Sequence, residues 1–369
     1  MPDAHPVLGE RIARHGFVDR PAADAVAAAG MACGIQAQDG PASRLGVRAR
    51  AAGVTDADVL RAIEDRGVVR TWLMRNTIHL VPADDARWMT ALLGPMIRRR
   101  FETVRWPQLG LTPDVLDAAA AVTADVLRGR ALTRHEFTAA LAEHGVRISP
   151  DGQAPTHVLV YLSAIGLTCR AADRERSGGA PASKGVARGG ATFTLLDEWS
   201  PDAAGGPRGD DALAELARRY FGAFSPATPA DFTTWSGLPS SRAITLIRDE
   251  LAPVDIDGRA GYRLGEVEPA RGLRLLPAFD NYLVGYRERG FLDESRRAEV
   301  YAGGMIRPTV LLDGRIVGRW QLRRNAGLAT IEVVPFLEFT RRVKLGLEAE
   351  AADLARFLGT PDCHLTVTG

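Results

Sequence analysis

Hydrophobic and polar positions divide the chain near Gly272. Before it, apolar runs of helical length come in pairs, each pair followed by two short strand-like runs. The motif Thr-x-x-[Asp/Glu]-Phe-Thr occurs at 133–138 and again at 228–233. In each copy the threonine can cap free N–H groups of a first turn while the acidic residue three places on caps in return, so both read as helix starts. After the first copy, "THVLVYLSAIG" reads as a second helix, with 167–170 and 192–195 as short strands. After the second, "SSRAITLIRDEL" is the helix, and 254–256 and 262–264 are strands around an Asp257-Gly258 turn. The N-terminal part repeats this less regularly, with "PASRLGVRARAAG" and "TDADVLRAIEDRG" as helices and "VVRTWLMRNTIHLV" as a hairpin. Helix, helix, two-stranded wing is the plan of a winged helix-turn-helix, and three such units in tandem are predicted.

Beyond Gly272 strands take over. "RPTVLLDGRIVGRWQL" predicts a hairpin turning at Asp313-Gly314, and "LATIEVV" a third strand after a turn at 325–327. In the closing stretch Phe336, Phe339, Val343, Leu347, Leu354 and Leu358 mostly keep helical spacing, and Gly359 is the stop. The expected class is therefore α+β, with three tandem winged units, a small C-terminal antiparallel β-barrel and a closing helix, divided as 1–110, 111–207, 208–268 and 269–369. The Gly/Ser/Ala/Arg-rich run at 171–190 is expected to be a mobile wing tip or linker, its Arg174, Arg176, Lys184 and Arg188 better suited to solvent than to phosphate.

Composition narrows the function classes. With 369 residues and 46% hydrophobic content the chain can bury a substantial core. Its 46 basic and 45 acidic residues nearly balance, so any polyanion site must be segregated onto one face. Lys184 and Lys344 are the only lysines, and the Ala-, Gly- and Arg-rich usage fits a GC-rich genome. Three cysteines without a CxxC pair argue against a disulfide framework or a zinc site and fit a reducing cytoplasm. No apolar stretch approaches the roughly 20 residues of a membrane helix, so a cytoplasmic protein is expected. HExxH, Walker-type and GxGxxG patterns are absent, and no metal or other cofactor is implied.

A winged helix usually reads bases with the helix before its wing, where arginines and amides reach base edges. Here those helices are unsuitable. "TDADVLRAIEDRG" is acidic, "THVLVYLSAIG" is almost wholly apolar, and Arg242 and Arg248 are countered by Asp249 and Glu250. Basic density lies elsewhere, in Arg70 and Arg75, in Arg98, Arg99 and Arg100 with Arg105, in Arg323 and Arg324, and in Arg341, Arg342 and Lys344. Such a distribution permits binding to the DNA backbone without readout of an operator.

Near the start stands "GIQAQD", with two glutamines two residues apart that neither helix period nor solubility requires. Together with "RTWLMRNTIHLV", "DFTTWSGL", "LLPAFDNYLVGY" and "PTVLLDGRIVGRW", in that order over most of the chain, it resembles the AlkZ-like winged-helix DNA glycosylases. The resemblance implies winged helices plus a small β-barrel, and excision of alkylated purines, including bulky natural-product adducts and interstrand crosslinks. It also implies a Gln-aliphatic-Gln catalytic element at Gln36, Ala37 and Gln38, a subtype associated with self-protection of antibiotic-producing actinobacteria. Double-stranded DNA bearing alkylpurine lesions is then the partner, and a monomer suffices for one lesion.

The chemistry supports this independently. Residues i and i+2 of an extended segment point to one side, so Gln36 and Gln38 can hold one water through their carbonyl oxygens. An amide orients a nucleophile but is a poor general base. That suffices where N7-alkylguanine or N3-alkyladenine already carries a positive charge and leaves neutral. The competing reading of the pair is a polar turn whose amides cap backbone groups. Asp39, directly after Gln38, is a candidate true base if it turns inward.

Other positions carry weaker expectations. The family pattern usually has glycine where Asn76 stands, and asparagine tolerates positive φ. Arg75, Asn76 and Thr77 at the hairpin tip are candidates for DNA contact, with Arg70, Arg98, Arg99 and Arg100. His79 and Asp280 match family positions, His79 reading more readily as a structural hydrogen-bonder and Asp280 as an anchor of the barrel through backbone hydrogen bonds. Trp72 and Trp235 can stack on bases but read as core. Two non-enzymatic alternatives stay open, a winged-helix transcriptional regulator and a protein that sequesters a genotoxic drug.

Overall fold

The structure, a computed structural model, describes residues 5–174, 190–200, 206–325 and 328–368. It is a mixed α and β architecture gathered into two compact units, one formed by Met1–Arg61 with Leu216–Gly369 and the other by Ala62–Glu215. This grouping follows contacts rather than sequence order.

In the first unit, a five-stranded sheet runs in the order Cys363–Val367, Leu328–Pro335, Arg315–Asn325, Thr309–Leu312, Leu273–Leu276. Helix Arg341–Leu358 packs on it, Val343, Leu347, Ala351 and Leu354 meeting Leu275, Val310, Trp320, Ile331 and Val333. The helix begins later than its apolar spacing suggests. The Thr340 side chain accepts from the Val343 N–H and caps it, so Phe336 and Phe339 precede the helix, although Phe339 still joins this core. Gly359 ends it at φ 66°.

The expected antiparallel barrel is an open sheet. Leu328–Pro335, the helix and Cys363–Val367 form a β-α-β unit, and a strand returning after a helix on the sheet face pairs in parallel. The other three ladders are antiparallel. The Asp313-Gly314 and Asp257-Gly258 turns take the paired positive φ values of tight hairpins. The latter joins Leu251–Ile256 to Arg259–Leu264. Ala326 and Gly327 of the expected third turn lie outside the described residues.

Both repeated caps form as capping boxes, Thr133 with Glu136 and Thr228 with Asp231. In the second unit the hairpin Val68–Trp72 with Ile78–Pro82 joins Thr168–Arg170, Thr192–Leu195 and Leu132–Thr133 in one antiparallel sheet, so two expected wings share a sheet. Arg70 faces Arg170 at the junction. Helices Ala83–Glu102 and Ala154–Ala164 meet at Gly94, where a Cβ would lie 1.9 Å from the Ala164 carbonyl oxygen. Only glycine fits there. Of the run at 171–190, Arg176, Lys184 and Arg188 lie outside the described residues, whereas Arg174 donates to Glu136 and to the Ala131 carbonyl. Among the described residues no helix is long and apolar enough to cross a membrane.

Candidate active site

The glutamine motif connects two helices of the first unit, Ala25–Met31 and Gly40–Arg48. Cys33 and Gly34 close the first helix with positive φ, 51° and 90°. Ile35–Gln36 is extended, and Asp39 starts the next helix, its Oδ1 accepting from the Ala42 N–H at 2.9 Å. Asp39 therefore serves as the cap of that helix.

The two glutamines do not share one environment. Gln36 is 7% exposed, and its Oε1 is buried with no hydrogen-bond partner among the described residues. Gln38 lies beyond the extended pair, in a bend, and is exposed. Asp39 caps the following helix, and the Gln36 oxygen caps no backbone group among the described residues. A buried carbonyl left unpaired costs about 1–3 kcal/mol, a cost that a ligand or water at that oxygen would offset.

What holds the motif comes from the far end of the chain. Asn281 donates through Nδ2 to the Ala32 carbonyl at 2.9 Å and the Gly34 carbonyl at 2.7 Å, and its Oδ1 accepts from the Gln36 N–H at 3.2 Å. Its neighbour Asp280 is buried and bidentate with Arg50, at 2.9 and 3.0 Å. The expectation of a backbone anchor for Asp280 is met only in part. It accepts from the Tyr282 N–H, but its main partner is a guanidinium. Arg50 also donates to the Gly46 carbonyl and to His15 Nδ1, and His15 reaches the Tyr286 hydroxyl through Nε2. Burial, reinforced by Arg50 and Arg11, holds His15 well below the usual imidazole range, so the ring is neutral. Arg48, fully buried, pairs with Glu350 and Asp353 of the closing helix. The helix after the motif is thus tied to the C-terminal sheet and its helix by two arginines.

Sequence reasoning passed over Asn281, Arg48 and Arg50. Arg50 and Asp280 are 230 residues apart, and nothing local distinguishes these arginines from surface ones. The one available signal was Asn281 itself, an amide beside Asp280 inside an otherwise apolar motif.

In the second unit the hairpin tip turns through Arg75 at φ 53° and Asn76 at φ 61°, so asparagine does accept the glycine-like position. The Thr77 hydroxyl donates to the Met74 carbonyl. His79 is buried, its Nδ1–H donating to the Thr77 carbonyl at 2.9 Å. Desolvation, with Arg75 nearby, lowers its pKa to about 3, which keeps it neutral. Arg70 is no surface residue. It is buried, bidentate with Asp173 at 3.1 and 3.2 Å, and donates to the Ala171 carbonyl. Arg98 is half-buried, whereas Arg99 and Arg100 are exposed at the end of helix Ala83–Glu102. Trp72 stacks on Phe193, and Trp235 lies in a cluster with Tyr220, Phe224 and Phe232. Both tryptophans are core. Among the described residues no group of three or more His, Cys, Asp or Glu is placed to hold a metal ion.

Comparison with known proteins converges on one family. The interstrand DNA cross-link repair glycosylase of Streptomyces sahachiroi is 30% identical over 379 residues, 96% of each chain. The solved structure of Streptomyces sahachiroi DNA glycosylase AlkZ matches with a TM-score of 0.79 at 28% identity, covering 98% of both chains. The family model for DNA glycosylase AlkZ-like proteins matches residues 30–357, a span that takes in both the buried glutamine and the Asp280-Asn281 pair that frames it. By that match this chain belongs to the AlkZ-like family of DNA glycosylases, hydrolases of the N-glycosidic bond.

Proposed function

We propose that this glycosylase is monofunctional and releases cationic alkylated purines, N7-alkylguanine and N3-alkyladenine, including bulky natural-product adducts or interstrand crosslinks. The relative named for interstrand cross-link repair supports the crosslink part of this reading. Self-protection against a genotoxic antibiotic is the corresponding biological role. The helix, helix, hairpin order around each capping box and around the glutamine motif supports three winged helices as the DNA-binding frame. A monomer in the cytoplasm suffices, since one copy meets one lesion.

The observation that carries the proposal is the unpaired, buried Gln36 oxygen. It accepts a hydrogen bond from the attacking water and aims the water at the anomeric carbon. As the C1′–N bond breaks, its electron pair neutralises the alkylated base, so no acid need protonate the leaving group. The water oxygen bonds to C1′ and its proton passes to solvent, because an amide cannot keep it. Gln38, exposed at the motif's edge, assists from the solvent side. Arg75, Asn76 and Thr77 at the hairpin tip, with Arg98, Arg99 and Arg100, supply backbone contacts.

Single-turnover excision from a duplex containing N7-methylguanine tests this. Gln36→Ala should slow release by ~10²-fold, the usual cost of removing one polar group aimed at a reacting centre, and Gln38→Ala by less. Asp39→Asn should stay near the parent rate. Full activity in both glutamine variants, or uracil excised as fast as the cationic base, overturns the reading.

A further inference from the structure

We infer that Asn281 is a positioning residue for the glycosylase reaction, its carboxamide fixing the backbone from which Gln36 projects. The inference rests on Gln36 being the water-orienting group. One side chain occupies three backbone groups of the motif, two carbonyls before Gln36 and its own N–H. Asn281 is 1% exposed, so its donors and acceptor have no water to turn to, and the motif cannot shift without breaking a buried bond. Gln36 sits in an extended segment only two residues long, followed by a bend, and such a segment has little stiffness of its own. Part of its placement is borrowed from Asn281.

The lender is held from two directions. The preceding Phe279 takes φ 59°, a left-handed conformation that a bulky residue adopts only when its surroundings impose it. That kink turns Asp280 and Asn281 in succession toward the two ends of the motif. Asp280 takes Arg50, two residues past the helix that follows the glutamines, while Asn281 takes the turn before them. Consecutive residues thus staple both flanks, and Tyr282 ties the staple to the Gly314 carbonyl at the sheet's hairpin turn. In its geometry Asn281 is suited to little else. Both of its donors are spent on the motif and it is buried away from solvent, so its function passes through the backbone of Gln36.

Asn281→Asp tests this. The carboxylate keeps the shape but has no donors, and places negative charge against the Ala32 and Gly34 carbonyls. Misplacing a reacting group by about 1 Å costs up to ~10²-fold, so the single-turnover rate constant on N7-methylguanine duplex should fall by ~10- to 10²-fold. The reaction amplitude and the dissociation constant for DNA should stay near parent values. Amplitude separates the two explanations, because a partly unfolded enzyme loses amplitude whereas a misaligned one loses rate. Hydrogen exchange of the free enzyme should show faster exchange of the amides at 33–38 and unchanged exchange in helix Arg341–Leu358. Asn281→Ser, which introduces no charge and retains one donor, should fall between Asp and the parent, and it carries the test if Asn281→Asp does not fold. Parent rates in the folded variants, or a loss confined to amplitude, overturn the inference. Gln36→Ala run alongside keeps the failures distinct. If it is fully active, the catalytic reading is wrong; if it is impaired while Asn281→Asp is not, only the positioning role is wrong.

Discussion

His79 stands one residue past the hairpin strand's start, 1% exposed and hydrogen-bonded to the Thr77 carbonyl. Its chemistry follows from burial. The folded ring binds a proton only near pH 3, the unfolded one near 6.5. Above pH 6.5 both states are neutral and His79 adds no pH dependence. As pH falls below 6.5 the unfolded chain binds the extra proton, so the folded state loses about 1.4 kcal/mol per pH unit down to about 3. Urea unfolding at pH 7 and pH 5 should therefore show the parent losing about 2 kcal/mol more than His79→Gln. Parallel losses in both proteins would refute the assignment. At this scale the sequence was readable where the chemistry is local. The glycine-like Asn76 and the core tryptophans rest on neighbouring residues. Arg70 was misread as a phosphate contact because the carboxylate that occupies it, Asp173, arrives from a different hairpin.

Elements whose limits are set by caps and turns were legible, and those set by distant pairing were not. Thr133 and Thr228 announce their helices, and Asp257-Gly258 and Asp313-Gly314 their hairpins, because each satisfies its own backbone groups within three residues. The parallel strand Cys363–Val367 and the joining of two hairpins in one sheet depend on partners that no local pattern names. The element carrying the glutamines is of the second kind, since the fully buried Arg50 pairs with the buried Asp280 to join the motif's helix to the C-terminal turn. Removing one partner of a buried pair leaves the other's charge uncompensated, at a cost of about 3–5 kcal/mol, whereas removing both costs much less. Arg50→Leu should lower unfolding stability by that amount, and Arg50→Leu with Asp280→Leu should recover most of it. A single variant within about 1 kcal/mol of the parent in urea unfolding would show that the pair does not hold the elements together.

For the whole molecule, a formal net charge of +1 leaves little long-range attraction for DNA, so affinity must come from a few placed cations. Exposure separates the candidates. Arg99 and Arg100 stand in solvent at the end of helix Ala83–Glu102, Arg99 donating to the Pro95 carbonyl of its own helix and Arg100 lying over the Phe101 ring. Arg70 is spent inside the sheet on Asp173. Each phosphate contact releases condensed counterions, so losing one changes the slope of log affinity against log salt by about 0.9. Binding of a lesion-bearing duplex measured between 50 and 200 mM salt should lose about one unit of slope for each of Arg99→Ala and Arg100→Ala, with single-turnover excision unchanged at saturating enzyme. Neither variant should alter preference among flanking sequences, because phosphate contacts carry no base information. Arg70→Ala should leave the slope intact and instead lower stability, since it removes the bidentate partner of Asp173 and the donor to the Ala171 carbonyl, while Arg170 keeps its own contact to the carboxylate. If the slope follows Arg70 rather than Arg99 and Arg100, the DNA path lies over the hairpin sheet and not the helix end. The contrast makes charge placement, rather than total charge, the property on which recognition by a nearly neutral glycosylase turns.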